Sequence, residues 1–133
     1  KIIYPDMTKY LPFHLDDKGF MQNDKSFMIT GKHISFLTAF LNSSLFKYCF
    51  KDNFPELQGG TRELRKIFLD KIPVIKVSDE TNSDFNKIVL QLQELISKKL
   101  CTKEISLMVD EMIFDLYTLA PEEKKQIGFI EIN

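Results

Sequence analysis

The segment from Lys32 to Phe50 carries the broadest apolar stripe in the chain and constrains the fold more than any other feature. Its apolar residues recur at spacings of three and four: Ile34, Leu37, Leu41, Leu45 and Tyr48. That spacing is typical of one face of an α-helix, and Phe36 and Phe40 widen the face. A helix with so broad an apolar stripe must be covered on much of its circumference. The pattern therefore predicts one long helix that is buried against a sheet.

The residues before this helix have the pattern of short strands and turns. Apolar and polar side chains alternate over residues 13–15, and Asp16–Gly19 has the composition of a turn. Phe20 then reopens an extended segment, and Phe27–Ile29 forms a further short strand. This order predicts a strand–turn–strand hairpin.

A loop that contains two glycines follows the long helix. We predict that Gln58–Thr61 is flexible and that Thr61 caps a short helix with Arg62, Arg65 and Lys66 on its outer face. Glycines let a backbone approach a ligand closely, and a helix N-terminus favours an anion such as phosphate. Arginine can read the O6 and N7 atoms of guanine, and glutamine can address adenine. The alternative is an ordinary glycine turn beside a solvated, charged helix face.

The charge of the chain is unevenly distributed. Residues 1–76 carry a net charge of +4 and residues 77–133 carry −5, although the whole chain carries only −1. A basic half is a mild indication of a polyanionic partner. Lys47 and Lys51 lie one helical turn apart and either extend a basic surface or serve only solubility. The candidate nucleic-acid-binding residues are Gln58, Gly59, Gly60, Thr61, Arg62, Arg65, Lys66, Lys47 and Lys51.

The second half of the chain is predicted to be helical. Ser78–Asn82 is a polar break, which suggests a first domain at 1–77 and a helical segment at 83–133. Two amphipathic helices follow, and Pro121 suits the first turn of a last helix. The predicted fold class is α+β, with a small mixed sheet or hairpin packed on the long helix and a C-terminal amphipathic helical hairpin. Periodicity alone does not decide whether the acidic helices over 84–117 dock a partner protein or pack within their own domain.

Motifs for catalysis are mostly absent. The chain has no glycine-rich nucleotide loop and no zinc-protease motif, and two cysteines and two histidines are too few to indicate a metal site. One alternative is a metal-dependent nuclease that uses Asp6, Asp16, Asp17 and Lys18. These residues also have ordinary turn composition, which is the favoured interpretation. No apolar stretch has the length of a membrane span, the cytoplasm is the expected compartment, and the first residues suggest a cut inside a longer protein.

Several short motifs follow one another in a recognisable order. They are Tyr4-Pro5-Asp6, Asp16–Phe20, Phe27–Gly31, Leu41–Phe46, Gly59–Arg62, Phe68–Val74 and Val109–Glu123. Their order and spacing resemble the C-terminal specificity domain of TaqI-like adenine methyltransferases and type IIG restriction enzymes. Type I restriction specificity subunits share a similar loop that leads to an Ile-Pro exit. One departure is Thr118, which stands where the family usually has glycine after the tyrosine.

The resemblance implies a target-recognition domain that selects a DNA site and is not itself an enzyme. Its partners would be double-stranded DNA and a methyltransferase or endonuclease domain or subunit. No cofactor is expected in this chain, whereas S-adenosylmethionine and magnesium are expected for the parent enzyme. The Asn-Pro-Pro-Tyr catalytic motif that the methyltransferase partner would carry is missing here, so catalysis is expected elsewhere in the parent protein or complex. The first domain is short for a complete recognition domain, and we expect it to be truncated at its N-terminus.

Overall fold

The computed structural model describes residues 1–8, 12–21 and 25–133. Within these residues the strands are β1 (Ile2–Pro5), β2 (Met7–Thr8), β3 (His14–Leu15), β4 (Ser26–Ile29) and β5 (Arg62–Glu63). The helices are α1 (Ile34–Asn42), α2 (Ser44–Phe50), α3 (Lys66–Leu69), α4 (Asp79–Ser97), α5 (Lys103–Leu116) and α6 (Pro121–Ile127). Small antiparallel sheets are followed by a helical half, so the prediction of an α+β fold is confirmed.

A three-stranded antiparallel sheet has β1 at its centre, between β3 and β4. Ile2 of β1 pairs with Leu15 on one side and with Ile29 on the other, and directly paired residues share a face. The predicted hairpin across the turn at residues 16–19 is wrong, because in the described residues β3 before this turn and β4 after it each pair with β1 and not with each other. The alternation of apolar and polar side chains along a short strand predicts which face of the strand is buried, but it does not predict which other strand will pair with it.

The prediction of one long helix over residues 32–50 is wrong, because the helix is interrupted at Ser43. This residue has extended backbone angles, with φ −70° and ψ 159°, between α1 and α2. Its hydroxyl accepts a hydrogen bond from the Phe46 amide at 3.2 Å and donates one to the Phe40 carbonyl at 2.7 Å. Serine is a favoured N-cap residue, and here its local chemistry starts a second helix inside a continuous apolar pattern.

The residues on either side of Ser43 join separate parts of the fold. The buried Asn42 amide bonds the backbone of Phe13 in both directions, at 3.2 Å from the Phe13 nitrogen and 2.8 Å to its oxygen. Ser44 donates to Asp110 from its backbone nitrogen at 2.9 Å and from its hydroxyl at 2.6 Å, and it accepts from the Ile130 nitrogen at 2.8 Å. Residues 42–44, where the helix is interrupted, are therefore hydrogen-bonded to Phe13 next to β3, to helix α5 and to the C-terminal segment.

Helix α4 packs along α1, so both halves of the chain share one core. The rings of Phe36 and Phe85 lie 5.2 Å apart, and the Asn82 side chain accepts a hydrogen bond from the Phe36 nitrogen at 2.9 Å. The Gln93 amide bonds the Leu15 backbone in both directions, at 2.7 and 2.9 Å. The division into 1–77 and 83–133 stays a prediction about the organisation of the chain, but the two parts are closely packed.

The three helices predicted in the second half are confirmed as α4, α5 and α6, and Pro121 occupies the first turn of α6. The first of them starts earlier than predicted, because Ser78 is its N-cap and residues 79–82 of the predicted polar break form its first turn. The stripes of α4 and α5 face inward: Leu92 is 4% exposed, Val109 is fully buried and Met112 packs against the core. The geometry therefore favours packing within the domain over a docking role for this stripe. None of the helices in residues 1–8, 12–21 and 25–133 has the length and apolarity that crossing a membrane requires.

Candidate nucleic-acid interface

The two predicted loop glycines form the exposed tip of a narrow hairpin. Glu56 and Arg62 form an antiparallel bridge below the tip, and the Leu57 nitrogen donates to the Thr61 oxygen at 2.6 Å. Gly59 and Gly60 both have φ +78°, a left-handed conformation that costs a residue with a side chain more than it costs glycine. The loop is thus a defined turn that projects into solvent. Its second arm continues into β5, which pairs with β2.

Arg62 holds the base of this hairpin together. One terminal nitrogen donates to the carbonyl of Lys51 at 3.1 Å and to that of Phe54 at 3.0 Å. The guanidinium also lies 3.3 Å from Asp52 and 3.5 Å from Glu56, both of which are well exposed. The side chain is only 11% exposed. The prediction that Arg62 faces outward is therefore wrong, and its contacts are those of a clamp inside the domain.

Arg62 was predicted to face outward because the segment after Thr61 was predicted to be a helix. Residues 62–65 are extended, not helical, so side chains alternate between inside and outside. Arg62 and Leu64 point inward and are buried, whereas Glu63 and Arg65 lie on the opposite side. Thr61 does not cap a helix, because α3 starts only after Arg65. A helical period would have placed Arg62 and Arg65 on one face.

Besides the two glycines, four of the predicted residues remain exposed around the hairpin. Gln58 lies at its tip, and Lys51 precedes its first arm. Arg65 and Lys66 follow its second arm, with side chains 60% and 79% exposed. Arg65 donates to Glu63, and the Lys66 ammonium pairs with Asp70 one turn later. These residues form the candidate reading surface, which we define as Gln58–Gly60, Lys51, Arg65 and Lys66.

Lys47 is more buried than the residues of this surface. Its side chain is half-buried, and the carboxylate of Asp110 on α5 is close enough to affect its ionisation. Burial lowers the pKa of Lys47, and the negative charge of Asp110 partly offsets that effect. Burial in turn raises the pKa of Asp110, against the hydrogen bonds from Ser44 and the charge of Lys47. Lys47 on α2 and Asp110 on α5 thus influence each other's ionisation.

The residues of the nuclease alternative are not brought together. The Asp16 nitrogen donates to the Lys1 carbonyl, whereas Asp6 follows the opposite end of β1. Asp6 lies five residue steps along the strand from Lys1, a distance of roughly 16 Å at about 3.3 Å per residue. Carboxylates that share one metal ion must each lie within about 2.6 Å of it. In the described part of the chain, no group of three or more histidine, cysteine or acidic side chains has an arrangement that could hold a metal.

Asp16 has a structural role that fits the turn interpretation. Its two carboxylate oxygens accept hydrogen bonds from the amides of Lys18 and Phe20 at 3.0 and 2.9 Å, and Lys1 lies 3.3 Å away. Burial raises the pKa of Asp16, but these hydrogen bonds and the charge of Lys1 outweigh burial and leave the pKa below its ordinary value. The carboxylate therefore closes the turn that follows β3.

This lowered pKa makes stability depend on pH. A carboxyl group with a lower pKa in the folded state stabilises the fold above its ordinary pKa, and this contribution is lost as the pH falls through the folded value. Asp16→Asn should therefore lower the thermal unfolding midpoint at pH 7, with a difference from wild type that shrinks below about pH 4. Asp17→Asn, at an exposed neighbour, is the control. A midpoint difference that is the same from pH 7 to pH 2 would contradict the assignment.

Comparison with known proteins gives a family for this arrangement. The family model described as the TaqI-like C-terminal specificity domain matches residues 1–74, which is more than half of the chain. The match spans the sheet, α1, α2, the hairpin with the reading surface, and α3. No curated protein and no solved structure matches the chain. The resemblance drawn from the motifs is confirmed, and the chain belongs to the family of TaqI-like C-terminal specificity domains.

Proposed function

We propose that the chain is a non-catalytic module that binds duplex DNA at a specific sequence and directs a DNA adenine methyltransferase to that site. Membership in a specificity-domain family supports the role in DNA target recognition. The observation that carries the assignment to a surface is the exposed glycine hairpin, with its base fixed by Arg62 and basic side chains on either side. A projecting loop whose base is held by such contacts has less conformational freedom to lose when it enters a groove.

The reading surface combines the two kinds of contact that specific DNA binding needs. Lys51 and Lys66 are exposed cations suited to backbone phosphates, which fix orientation and supply most of the salt-dependent affinity. Gln58, at the tip, can form the paired hydrogen bonds that distinguish adenine in the major groove. Phosphate contacts at the base of the hairpin would thus position the tip for base contacts.

The enzymatic partner is part of the proposal. A methyltransferase that modifies adenine must extrude the base from the duplex, since it cannot reach the target atom inside the stack. That partner would bring S-adenosylmethionine, and a nuclease in the same complex would bring magnesium, with type IIG or type I organisation. In this arrangement the chain selects the site and holds the complex on it, in the cytoplasm, while chemistry occurs in another domain or subunit.

Removing two phosphate contacts should weaken DNA binding and reduce its salt dependence. For Lys51→Ala/Lys66→Ala we expect the affinity for a mixed-sequence duplex to fall about 10-fold or more near 0.1 M salt. We also expect the slope of log affinity against log salt to flatten by about 2, since each phosphate contact contributes about 0.9. Fluorescence anisotropy of a labelled duplex across a salt series measures both quantities.

A charge-matched control separates local contacts from net charge. Lys98→Ala/Lys99→Ala removes two exposed lysines at the C-terminal end of α4 and should change the slope much less. Equal losses in both double variants would remove the DNA surface from the hairpin. Absence of binding by the unmodified chain at low salt would contradict the proposed function itself.

A further inference from the structure

Arg65 is held by an acidic neighbour in a geometry that differs from that of Arg62. Its Nε donates to a carboxylate oxygen of Glu63 at 2.6 Å, while the side chain as a whole stays 60% exposed. The Glu63 side chain is only 20% exposed, so the surrounding structure fixes the acceptor. A mostly covered carboxylate therefore orients an exposed guanidinium at the base of the hairpin.

The backbone explains why these two side chains meet. Glu63 lies in β5 and Arg65 lies two residues later in the same extended segment, so their side chains share one side. On that side Glu63 pairs directly with Met7 of β2, which is 57% exposed. Arginine, glutamate and an exposed apolar side chain are thus neighbours on a short sheet, not members of a mobile tail.

The guanidinium edge that points away from Glu63 is available to a ligand. Within the described residues, the two terminal nitrogens of Arg65 have no hydrogen-bond or ion-pair partner, whereas those of Arg62 are engaged inside the domain. Two parallel N–H groups match the O6 and N7 acceptors of guanine in the major groove. Because Glu63 already fixes the plane of the fork, less side-chain entropy remains to be lost on contact.

The glutamate also favours a base over a phosphate as the partner of Arg65. A carboxylate 2.6 Å from the guanidinium neutralises much of its charge and repels a phosphate brought close to it. Lys66 differs in this respect, because its partner Asp70 is 55% exposed and free to turn away. Glu63 is only 20% exposed and stays beside Arg65. A guanine edge is uncharged and offers two acceptors. The amino group of its paired cytosine can donate a hydrogen bond to a carboxylate. The pair thus has the chemistry of a G·C reader more than that of a backbone contact.

We propose that Arg65 reads a guanine in the recognised DNA sequence and that Glu63 is the residue that positions it. This inference rests on the proposed function. It goes further by naming one base pair of the recognised sequence, G·C, and the two residues that would select it. Met7, beside the pair, would lie against an adjacent base, where an apolar side chain can contact a thymine methyl group.

Site selection from a randomised duplex pool tests this assignment with the 133-residue chain. The unmodified chain should enrich a sequence with at least one invariant G·C pair. Arg65→Ala and Arg65→Lys should each lose the preference at one G·C position, by about 5- to 150-fold in relative affinity, because a good bidentate pair discriminates by about 1–3 kcal/mol. Lysine keeps the positive charge but lacks the two parallel N–H groups of arginine. Loss of the G·C preference in Arg65→Lys would therefore show that Arg65 contacts a base and does not merely attract a phosphate.

Glu63→Gln is expected to change non-specific affinity and sequence preference in opposite directions. Removing the carboxylate should raise affinity for non-specific DNA while lowering the preference at the same G·C position, which a merely structural ion pair would not do. Glu94→Gln is the matched control, because Glu94 forms a similar 2.6 Å surface pair with Lys98 on α4. Thermal unfolding midpoints of all variants should lie near that of wild type, since Arg65 is exposed.

Each other outcome overturns a defined part of the proposal. If the chain selects a site and Arg65→Lys keeps every G·C preference, this inference fails while the proposed function stands. If Glu63→Gln changes neither specificity nor non-specific affinity, Glu63 has no positioning role. If the unmodified chain enriches no sequence and binds no DNA, the proposed function fails, and the inference fails with it.

Discussion

Phe46→Ala is expected to destabilise the fold by about 3–5 kcal/mol, the largest effect of any single substitution considered for this chain. Phe46 is fully buried at the start of α2. It contacts four other aromatic rings at centroid distances of 5.7–6.2 Å, from Phe13, Phe40, Phe50 and Phe54. Truncation removes all four contacts and leaves a cavity that a densely packed interior fills only in part. Equilibrium unfolding in urea measures the loss.

The same experiment has a control in another phenylalanine. Phe20 is 56% exposed, so Phe20→Ala should change the free energy of unfolding by no more than about 0.5 kcal/mol. The slope of the free energy against urea should be similar for both variants, which would show that stability and not the extent of unfolding has changed. A loss below about 1 kcal/mol for Phe46→Ala would contradict a central position for this ring.

Arg62→Ala is expected to cost about 2–4 kcal/mol of stability, because it leaves two backbone carbonyls without their charged donor. Those carbonyls belong to Lys51 and Phe54, at 3.1 and 3.0 Å from the guanidinium. The nearby Asp52 and Glu56 are exposed, so their ion pairs should contribute little to this figure. Urea unfolding of Arg62→Ala beside wild type gives the value.

The contacts of Arg62 inside the domain also predict that alanine substitutions of Arg62 and Arg65 will have different effects on stability and on DNA binding. Arg62→Ala should lower stability and, by loosening the hairpin, reduce DNA affinity for every sequence. Arg65→Ala should leave stability within about 0.5 kcal/mol of wild type and change sequence preference instead. If Arg62→Ala left stability unchanged and altered only sequence preference, Arg62 would be a base-reading residue and the clamp assignment would be wrong.

The helices of the second half could be predicted because their determinants are local. The apolar spacing predicted α4 and α5, the proline at 121 predicted the start of α6, and the tertiary contacts agree with them. The start of α4 was missed, because Ser78 was assigned to a polar break and is in fact the N-cap of this helix. The order of short motifs likewise identified the family, because such motifs keep their spacing whatever the details of packing. The glycine loop was also placed correctly, since only a turn tolerates two consecutive residues at positive φ.

Other features depended on partners that are distant in the sequence. The apolar pattern around Ser43 predicted one helix, but bonds from Asn42 to Phe13 and from Ser44 to Asp110 stabilise a break there. Residues 13–15 and 27–29 were predicted to be strands, yet only the position of Ile2 between them determined their pairing. Glu63 was not recognised as part of the candidate site, although the alternation from Arg62 to Arg65 was a visible signal for an extended segment.

Local patterns along the chain were enough to predict the α+β class, the helical second half, the exposed glycine loop and the family, because each depends mainly on residues that are close together in the sequence. Which arginine lies inside depends on the tertiary structure. Arg62 and Arg65 are chemically identical, and they differ only because an extended backbone turns one toward the carbonyls of Lys51 and Phe54 and the other toward solvent beside Glu63. A side chain's role depends on which partners the fold brings within hydrogen-bond distance, and those partners can lie far away along the chain.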